Sequence, residues 1–274
     1  MSNSAAPSRA DLYAAVQAIA PFELAESWDN VGVLLDPWGT DEMERVLLTI
    51  DLTEAVADEA IGWGADAIVA YHPPIFSGLK RLTAATAQER TILRLVANGI
   101  PVVSPHTALD AAAGGMGDWL AATLGDAAMV APITPCKARP LDSTVGLGRM
   151  GVLAEPAALD VVVERVKQAL GLAHVRLATA ARHRDGAPIR RFAVCPGAGG
   201  ELFSQVGAVD LLLTGEMRHH DVLARVHAGT SVLLTDHTNC ERGYLPTLGA
   251  ALAQRLPGLL VRISERDADP LVVR

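Results

Sequence analysis

The amino-acid sequence predicts an α/β fold made of two similar α/β subdomains, with mainly parallel or mixed sheets that are covered by helices. Short apolar runs of strand length alternate with segments of helical periodicity along the 274 residues. The strand runs are continuous and rich in valine, leucine and isoleucine, which is typical of strands buried on both faces. Half of the residues are apolar, which is enough for a substantial core.

The first part of the chain has clear helix signals. Ser8 followed by Asp11 is the pattern of a capping box, so we predict that a helix opens there. The WDNVG stretch that comes next is predicted to be a loop, and Asn98-Gly99 is a typical helix end. The predicted elements that follow are strands over residues 46–50, 67–71 and 100–104, and helices over residues 54–63 and 87–97.

Residues 125–143 contain three prolines and are predicted to be a linker. The N-terminal half then covers residues 1–130 and the C-terminal half residues 131–274, with the final helix and strand able to pack back on the first half. Pro156 is predicted to open a helix, and residues 181–187 are predicted to be a loop. The other predicted elements are strands over residues 145–153, 192–195, 210–214, 232–235 and 259–263, a helix ending near residue 229, and a helix over residues 245–255.

Equal spacing indicates that the two halves repeat one unit. Asp51 and His72 end successive predicted strands 21 residues apart, and Cys195 and Glu216 are separated by the same 21 residues. The third strand of each half also ends in polar residues, in the stretches SPHTALD and TDHTNCE. We therefore expect the two halves to be one unit used twice.

Composition excludes several classes of function. The net charge of −8 and the absence of a Lys/Arg cluster argue against a nucleic-acid partner. Three widely spaced cysteines are typical of free thiols in a reducing compartment. No apolar run approaches the ~18 residues of a membrane span, and the N-terminus has no signal-peptide pattern. We expect a soluble cytoplasmic protein without a membrane partner.

The chemistry-bearing residues follow the predicted strands. The carboxyl ends of parallel strands meet at one edge of a sheet, where ligands bind. Imidazole and carboxylate groups together are the usual ligands of divalent transition metals, and a histidine and an acid four residues apart share one helical face. The sequence therefore predicts a metal site built from residues at these strand ends: His72, His106, Asp110, Glu216, His237 and Glu241.

Glu216 and three other residues near these strand ends each have two interpretations. Glu216 is either a metal-site residue or a favourable charge at the start of the next helix. His219 and His220 either orient the site or lie on the surface. Cys240 is either a ligand or a small buried apolar residue.

The glycine turn PGAGGEL, residues 196–202, also has two interpretations. Its backbone N–H groups either hold a phosphate or simply permit a tight turn. Leu202 occupies the position of the third glycine in the dinucleotide-binding fingerprint, which argues against a nicotinamide enzyme.

Five ordered motifs identify a family resemblance: WDNVG, YHPPIF, HTALDAAAGG, TGE and HTNCERG. Together they resemble the Nif-three-like family of dinuclear-metal proteins, also called GTP cyclohydrolase I type 2 homologues, over residues 28–243. The resemblance implies two α/β subdomains with a pair of divalent ions in the cleft between them, and a ring-shaped homo-hexamer. It also implies four metal ligands, with Glu241 as the bridge: His72, Asp110, His237 and Glu241.

One position departs from the family pattern. Many members have two histidines before the proline, whereas this chain has Tyr71 at the first of these positions. A phenol, with an ordinary pKa near ~10, is a poorer ligand than imidazole, near ~6.5. We therefore predict two divalent ions per subunit, one of them weakly bound. Zn, Mn, Fe, Co and Ni are all compatible with this ligand set.

Two functions fit this sequence. The first is a divalent-metal-dependent hydrolase that acts on a small phosphorylated or nucleotide-like substrate, as paired ions suit metal-assisted hydrolysis. In it, His106, Glu216 and His220 would transfer protons or orient ligands. The second is a non-catalytic metal-binding oligomeric scaffold or metal-handling protein.

Overall fold

The computed structural model describes residues 6–273. In chain order its helices are α1 (Arg9–Ile19), α2 (Glu54–Trp63), α3 (Ala87–Ala97), α4 (His106–Ala111), α5 (Met116–Ala122), α6 (Leu159–Leu170), α7 (Ala181–Arg184), α8 (His219–His227) and α9 (Leu245–Arg255). Its strands are β1 (Gly32–Leu35), β2 (Arg45–Thr49), β3 (Ala67–Ala70), β4 (Val102–Ser104), β5 (Ala127–Ala131), β6 (Thr134–Pro135), β7 (Gly146–Leu147), β8 (Arg149–Ala157), β9 (Arg176–Ala178), β10 (Ile189–Ala198), β11 (Leu211–Glu216), β12 (Ser231–Leu234) and β13 (Leu260–Ile263).

The chain divides into two compact units. The first comprises described residues up to 109 together with 244–270, and the second comprises residues 110–243 and 271–273. The last helix and strand, α9 and β13, are therefore part of the first unit, whereas Asp110 is the first residue of the second. The α/β class predicted from the sequence is confirmed, with mixed sheets covered by helices.

The first unit contains a five-stranded sheet in the order β1-β4-β3-β2-β13. Four of these strands run parallel, and β1 pairs antiparallel with β4. Helices α2 and α3 cover the sheet and form a core with β2 and β3 around Leu47, Val56, Ile68 and Leu95, each at most 1% exposed. The sequence prediction assigned the WDNVG stretch to a loop, but β1 begins at its glycine, Gly32.

The second unit contains a six-stranded sheet in the order β5-β8-β10-β11-β12-β9. Strands β10, β11 and β12 are parallel to one another, while β9 pairs antiparallel with β12 and β8 pairs antiparallel with β10. Helix α6 covers one face through Val162 and Val166. The other face is covered by a cluster that includes Phe203.

The two sheets share a central pattern. In each, three parallel strands follow one another along the chain, and the strand that precedes them pairs antiparallel with the third: β1 with β4 in the first unit and β9 with β12 in the second. The two units thus have the same arrangement of these four strands, while the internal repeat itself stays a prediction.

Three local predictions were wrong. The expected linker over residues 125–143 contains β5, which pairs antiparallel with β8. Pro156 lies near the end of β8, and α6 starts three residues later at Leu159. The expected loop over residues 181–187 contains the short helix α7.

Helix length bears on membrane insertion. Among the residues that the structure describes, no helix has the length and apolar character that crossing a membrane requires.

Candidate metal centre

Three side chains form a potential metal-ligand group. His72, His237 and Glu241 each offer one ligand atom, and these atoms all lie within 4.8 Å of one another. Two imidazole nitrogens and a carboxylate oxygen are a ligand set that suits zinc and most other first-row divalent ions. A His/Glu metal site is therefore present as a geometric possibility, and the sequence prediction named all three of its residues.

His72 is positioned by the end of β3. Its backbone N–H donates to the carbonyl of Ile50 at 3.0 Å, so the ladder between β2 and β3 continues past the last strand residue. Asp51 follows Ile50, and its Oδ1 lies 2.8 Å from Nδ1 of His72. The carboxylate thus fixes the orientation of the imidazole ring.

His237 follows β12 after a backbone bend. Asp236, just before it, has a φ of 67°, a left-handed conformation that is unusual for a residue other than glycine. A short 3-10 helix over Thr238–Cys240 then brings Glu241 back towards the histidine. Oε1 of Glu241 lies 3.7 Å from Nε2 of His237. The tight turn, and not the α-helical face expected from the spacing, brings the two side chains together.

Glu241 is 1% exposed. A buried carboxylate is costly unless cations or donors compensate it. The negative charge also acts on the neighbouring thiols: burial, with Glu241 contributing, raises the pKa of both Cys195 and Cys240. A divalent ion at this position would neutralise the buried charge.

Two glycines keep the space beside His237 and Glu241 free of side chains. A Cβ on Gly197, whose φ is +59°, would lie 2.8 Å from both Nε2 of His237 and Oε1 of Glu241. A Cβ on Gly215 would lie 2.7 Å from the Cα of His237. The residues present therefore fit a bound metal, because the backbone keeps this volume clear of side chains.

The glycine turn does not serve as an open phosphate cradle at these positions. The N–H of Gly197 donates to Sγ of Cys240 at 3.2 Å, and the N–H of Gly199 donates to Oγ1 of Thr214 at 2.9 Å. The helix after the turn is only a 3-10 segment, Leu202–Gln205. Two of the amides that would face an anion are thus used within the protein.

Cys240 behaves as a buried thiol. Its S–H donates to the carbonyl of His237 at 3.1 Å while its sulfur accepts from Gly197. Burial, and next the charge of Glu241, raise its pKa well above the ordinary value. A thiolate ligand is therefore disfavoured, and the structure supports the apolar interpretation.

His106 lies beside His72 in the first unit. The centroids of their rings are 5.4 Å apart in an edge-on arrangement, and the ring of Tyr71 lies 5.5 Å from that of His106. Nδ1 of His106 is 2.7 Å from Oδ1 of Asp29, whose side chain is fully buried. Backbone φ at His106 is 25°, a second unusual conformation next to the candidate site.

Asp29 is held as a carboxylate. Burial alone would raise its pKa, but hydrogen bonds from His106 and Thr107, together with the charge of His106, outweigh burial and lower the pKa. Asp29 is the aspartate of the WDNVG motif, which the sequence interpretation used only as a family signature.

All three histidines share one arrangement. Nδ1 of His72, His106 and His237 meets a carboxylate oxygen at 2.8, 2.7 and 2.6 Å, supplied by Asp51, Asp29 and Glu216 respectively. A neutral imidazole that donates through Nδ1–H carries its lone pair on Nε2, the arrangement found behind metal-ligating histidines. Sequence reasoning missed Asp29 and Asp51, although Asp51 marked one end of the 21-residue spacing.

The remaining predicted residues are placed as follows. Glu216 is the last residue of β11 and contacts His237, which favours a role at the site over a helix charge. Asp110 lies in α4 outside the three-residue group, and its charge, like that of Glu241, raises the pKa of Cys195. His220 is an exposed residue of α8 whose ring contacts that of His219 at 5.3 Å, and it takes no part in the contacts above.

The sequence of the whole chain decides its family. The family described as Duf34/NIF3 (NGG1p interacting factor 3) matches residues 7–270. Protein NIF3 homolog of Schizosaccharomyces pombe is 41% identical over 268 residues, which cover 93% of this chain and 94% of the relative. The chain belongs to the Duf34/NIF3 family. The family resemblance inferred from the five motifs is thereby confirmed.

Two solved structures have the same fold as this chain. A Bacillus cereus protein related to NIF3 superposes with a TM-score of 0.83 at 21% identity, over 99% of this chain and 100% of the other. Reduced HcgD from Methanocaldococcus jannaschii gives a TM-score of 0.78 at 21% identity, over 94% and 98% of the two chains. At such identities, the likeness concerns the fold alone.

Proposed function

We propose that this Duf34/NIF3 protein is a divalent-metal-dependent hydrolase that acts on a small phosphorylated or nucleotide-like compound. The observation that supports it most directly is the convergence of ligand atoms of His72, His237 and Glu241 within 4.8 Å. The carboxylates behind both histidines are the usual companions of metal-binding imidazoles.

The chain's own residues would divide the work as follows. His72, His237 and Glu241 would hold the first ion, and Asp110 would contribute to a second, weaker one. Asp51 and Glu216 fix the two ligand rings through contacts of 2.8 and 2.6 Å. Bound divalent ions supply Lewis-acid polarisation and a nucleophile at neutral pH.

His106 is the proposed proton carrier. Asp29 accepts from its Nδ1–H, so Nε2 is the basic atom, and the ring lies 5.4 Å from that of His72. A buried carboxylate behind the imidazole stabilises the protonated ring after it accepts a proton. Glu216 is proposed to position His237 for the reaction. The sequence prediction alone proposes a catalytic role for His220.

We propose a small-molecule substrate for this activity and a cytoplasmic location, the latter from the composition of the sequence. The homo-oligomer, specifically a hexamer, is proposed on the family resemblance alone. Light scattering of the purified protein would test the hexamer.

The test compares metal binding with turnover. Wild type and Glu241→Gln are loaded with Mn, Fe, Co, Ni or Zn, assayed for bound metal, and screened for release of phosphate or opened ring from nucleotides and phosphoesters. Glu201→Gln, an exposed glutamate of the same unit, is the matched control. We expect metal and turnover to fall together in Glu241→Gln and to persist in the control.

Two outcomes would contradict the proposal. If the wild-type protein binds none of these metals, the proposed metal site does not exist. Bound metal without turnover for any compound and any ion favours the alternative, a non-catalytic metal-binding scaffold or metal-handling protein.

A further inference from the structure

Two exposed aromatic side chains of the first unit lie next to His106, which in turn contacts His72. Trp28 is 58% exposed and Phe76 is 49% exposed, and their ring centroids are 6.1 Å apart. The ring of Trp28 also lies 6.3 Å from that of His106, edge-on. The chain is poor in aromatic residues, at 4%, so an exposed pair beside candidate catalytic groups is a specific feature.

Two hydrogen bonds fix the backbone just before Phe76. Asn30 Nδ2 donates to the carbonyl of Ile75 at 2.5 Å, which fixes the residue before Phe76 to the loop that carries Trp28. Gln88 Nε2 donates to the carbonyl of Pro74 at 2.5 Å. These bonds order the rings without burying them, so a ligand would meet aromatic surfaces that are already positioned.

We propose that Trp28 and Phe76 form a stacking platform for the planar heterocycle of a phosphorylated substrate; this rests on the proposed function, because the platform serves the same site. The two rings are tilted by 50°. A flat ring can therefore lie against one of them and meet the other by its edge, both of which are favourable aromatic geometries.

Charge favours a phosphorylated ligand over an apolar protein segment. Lys80 and Arg81 follow Phe76 in the same segment, and both are exposed. Cationic side chains there suit a phosphate group attached to the heterocycle. The rings of Trp28, His106 and His72 follow one another at 6.3 and 5.4 Å, so a ligand on Trp28 would lie on the side of His106 and His72.

The experiment measures the contribution of the ring to binding. Dissociation constants of guanosine 5′-monophosphate and ribose 5-phosphate are determined by calorimetry for wild type and for Trp28→Ala, Phe76→Ala and Trp28→Phe. Trp38→Ala is the matched control, because Trp38 is a tryptophan of the same unit that is 98% exposed. Bound metal and oligomeric state are recorded for every variant.

We expect wild type to bind the nucleotide more tightly than the sugar phosphate, by about tenfold. Trp28→Ala should abolish this difference, Phe76→Ala should reduce it, and Trp28→Phe and Trp38→Ala should retain it. A wild type without the difference, or equal losses in Trp28→Ala and Trp38→Ala, would overturn the proposal. So would a change of oligomeric state in Trp28→Ala with unchanged nucleotide binding, since the pair would then be a subunit contact.

The metal measurement separates this inference from the proposed function. If wild type holds no metal but still discriminates the nucleotide through Trp28, the hydrolase proposal fails and the platform stands. If metal and turnover are present but discrimination is independent of Trp28, the platform fails and the hydrolase stands.

Discussion

Nδ1 of His237 lies 2.6 Å from Oε1 of Glu216, and the other ring nitrogen, Nε2, lies 3.7 Å from Oε1 of Glu241. Glu216 comes from the end of β11 and His237 from the end of β12, so neighbouring parallel strands deliver a histidine and the carboxylate that orients it. In the first unit, Asp51 after β2 and His72 after β3 make the same kind of pair.

Removal of Glu216 should weaken metal binding without removing a ligand. Loss of the carboxylate behind a ligating histidine typically lowers metal affinity by about 10- to 100-fold. We expect that loss for Glu216→Ala, a smaller one for Glu216→Gln, and none for Glu201→Ala, measured by competition with a chromogenic chelator. An affinity in Glu216→Ala equal to that of wild type would show that His237 is oriented by other contacts.

Gly197→Ala should abolish metal binding by steric conflict. The added methyl would lie 2.8 Å from both His237 Nε2 and Glu241 Oε1. Gly171→Ala is the control, because Gly171 has a similar φ of +67° but a Cβ there would have no described neighbour within 4 Å. Both variants should lose about 1–2 kcal/mol of unfolding free energy from the left-handed conformation. Only Gly197→Ala should lose metal, and equal metal affinity in the two variants would refute the steric argument.

Local signals explain why several helices were predicted with their observed bounds. Helix α1 has the capping box of Ser8 and Asp11 that the sequence indicated. Helices α2 and α9 have the predicted bounds, Glu54–Trp63 and Leu245–Arg255. Caps and helical periodicity involve residues a few positions apart, so they are visible in the sequence.

Features that depend on distant residues were not predictable in this way. Strand β5 consists of exposed residues between turns, and its pairing with β8 defines it as a strand. Asp29 and His106 are 77 residues apart in sequence, so the contact of 2.7 Å between them has no local signal. His72 and His237 were predicted as ligands because they follow strands, and Glu241 because of its spacing from His237. Two of the orienting carboxylates, by contrast, required the folded structure.

Arg149→Met should destabilise the second unit strongly. Arg149 is 1% exposed, and its guanidinium forms a two-pronged contact with Asp118 and also donates to the carbonyl of Ala112. Removal of one partner of a buried ion pair costs about 3–5 kcal/mol, because the other charge loses its compensation. The side chain of Asp118 is 32% exposed, so water compensates part of its charge and the loss should lie near the lower end of this range. Urea unfolding measures this loss.

The control for Arg149→Met is an ion pair closer to the solvent. Lys167 and Glu164 contact each other one helical turn apart at 2.7 Å on α6, with 24% and 58% of the side chains exposed. Lys167→Met should cost no more than about 0.5 kcal/mol. Comparable losses in the two variants would contradict the importance of burial at Arg149.

His183 should make the fold sensitive to acid. It is 7% exposed, with Nδ1 2.7 Å from Oγ of Ser231. Burial, and next the charge of Arg182, lower its pKa below the ordinary 6.5, while Asp210 acts in the opposite direction. Below pH 6.5 the unfolded chain binds the proton more readily than the folded chain, so stability falls as the pH decreases from 6.5 towards the folded pKa.

The measurement is the free energy of unfolding at pH 7.5 and at about pH 5. His183→Gln should lose less stability over this range than wild type, whereas His174→Gln, an exposed control in the same unit, should lose as much as wild type. A pH dependence in His183→Gln equal to that of wild type would exclude His183 as its source.

Tyr71 should limit the protein to one tightly held ion per subunit. Tyr71 is 2% exposed, and its ring lies 5.0 Å from that of His72 and 5.5 Å from that of His106. The family resemblance implies a second imidazole at this position. A neutral phenol is a poorer metal ligand than an imidazole. Elemental analysis after mild chelation should therefore find about one equivalent in wild type and in Tyr71→Phe, and a larger amount in Tyr71→His. Two equivalents retained by wild type would show that the tyrosine does not weaken the second site, because the protein would then hold both ions without an imidazole at this position.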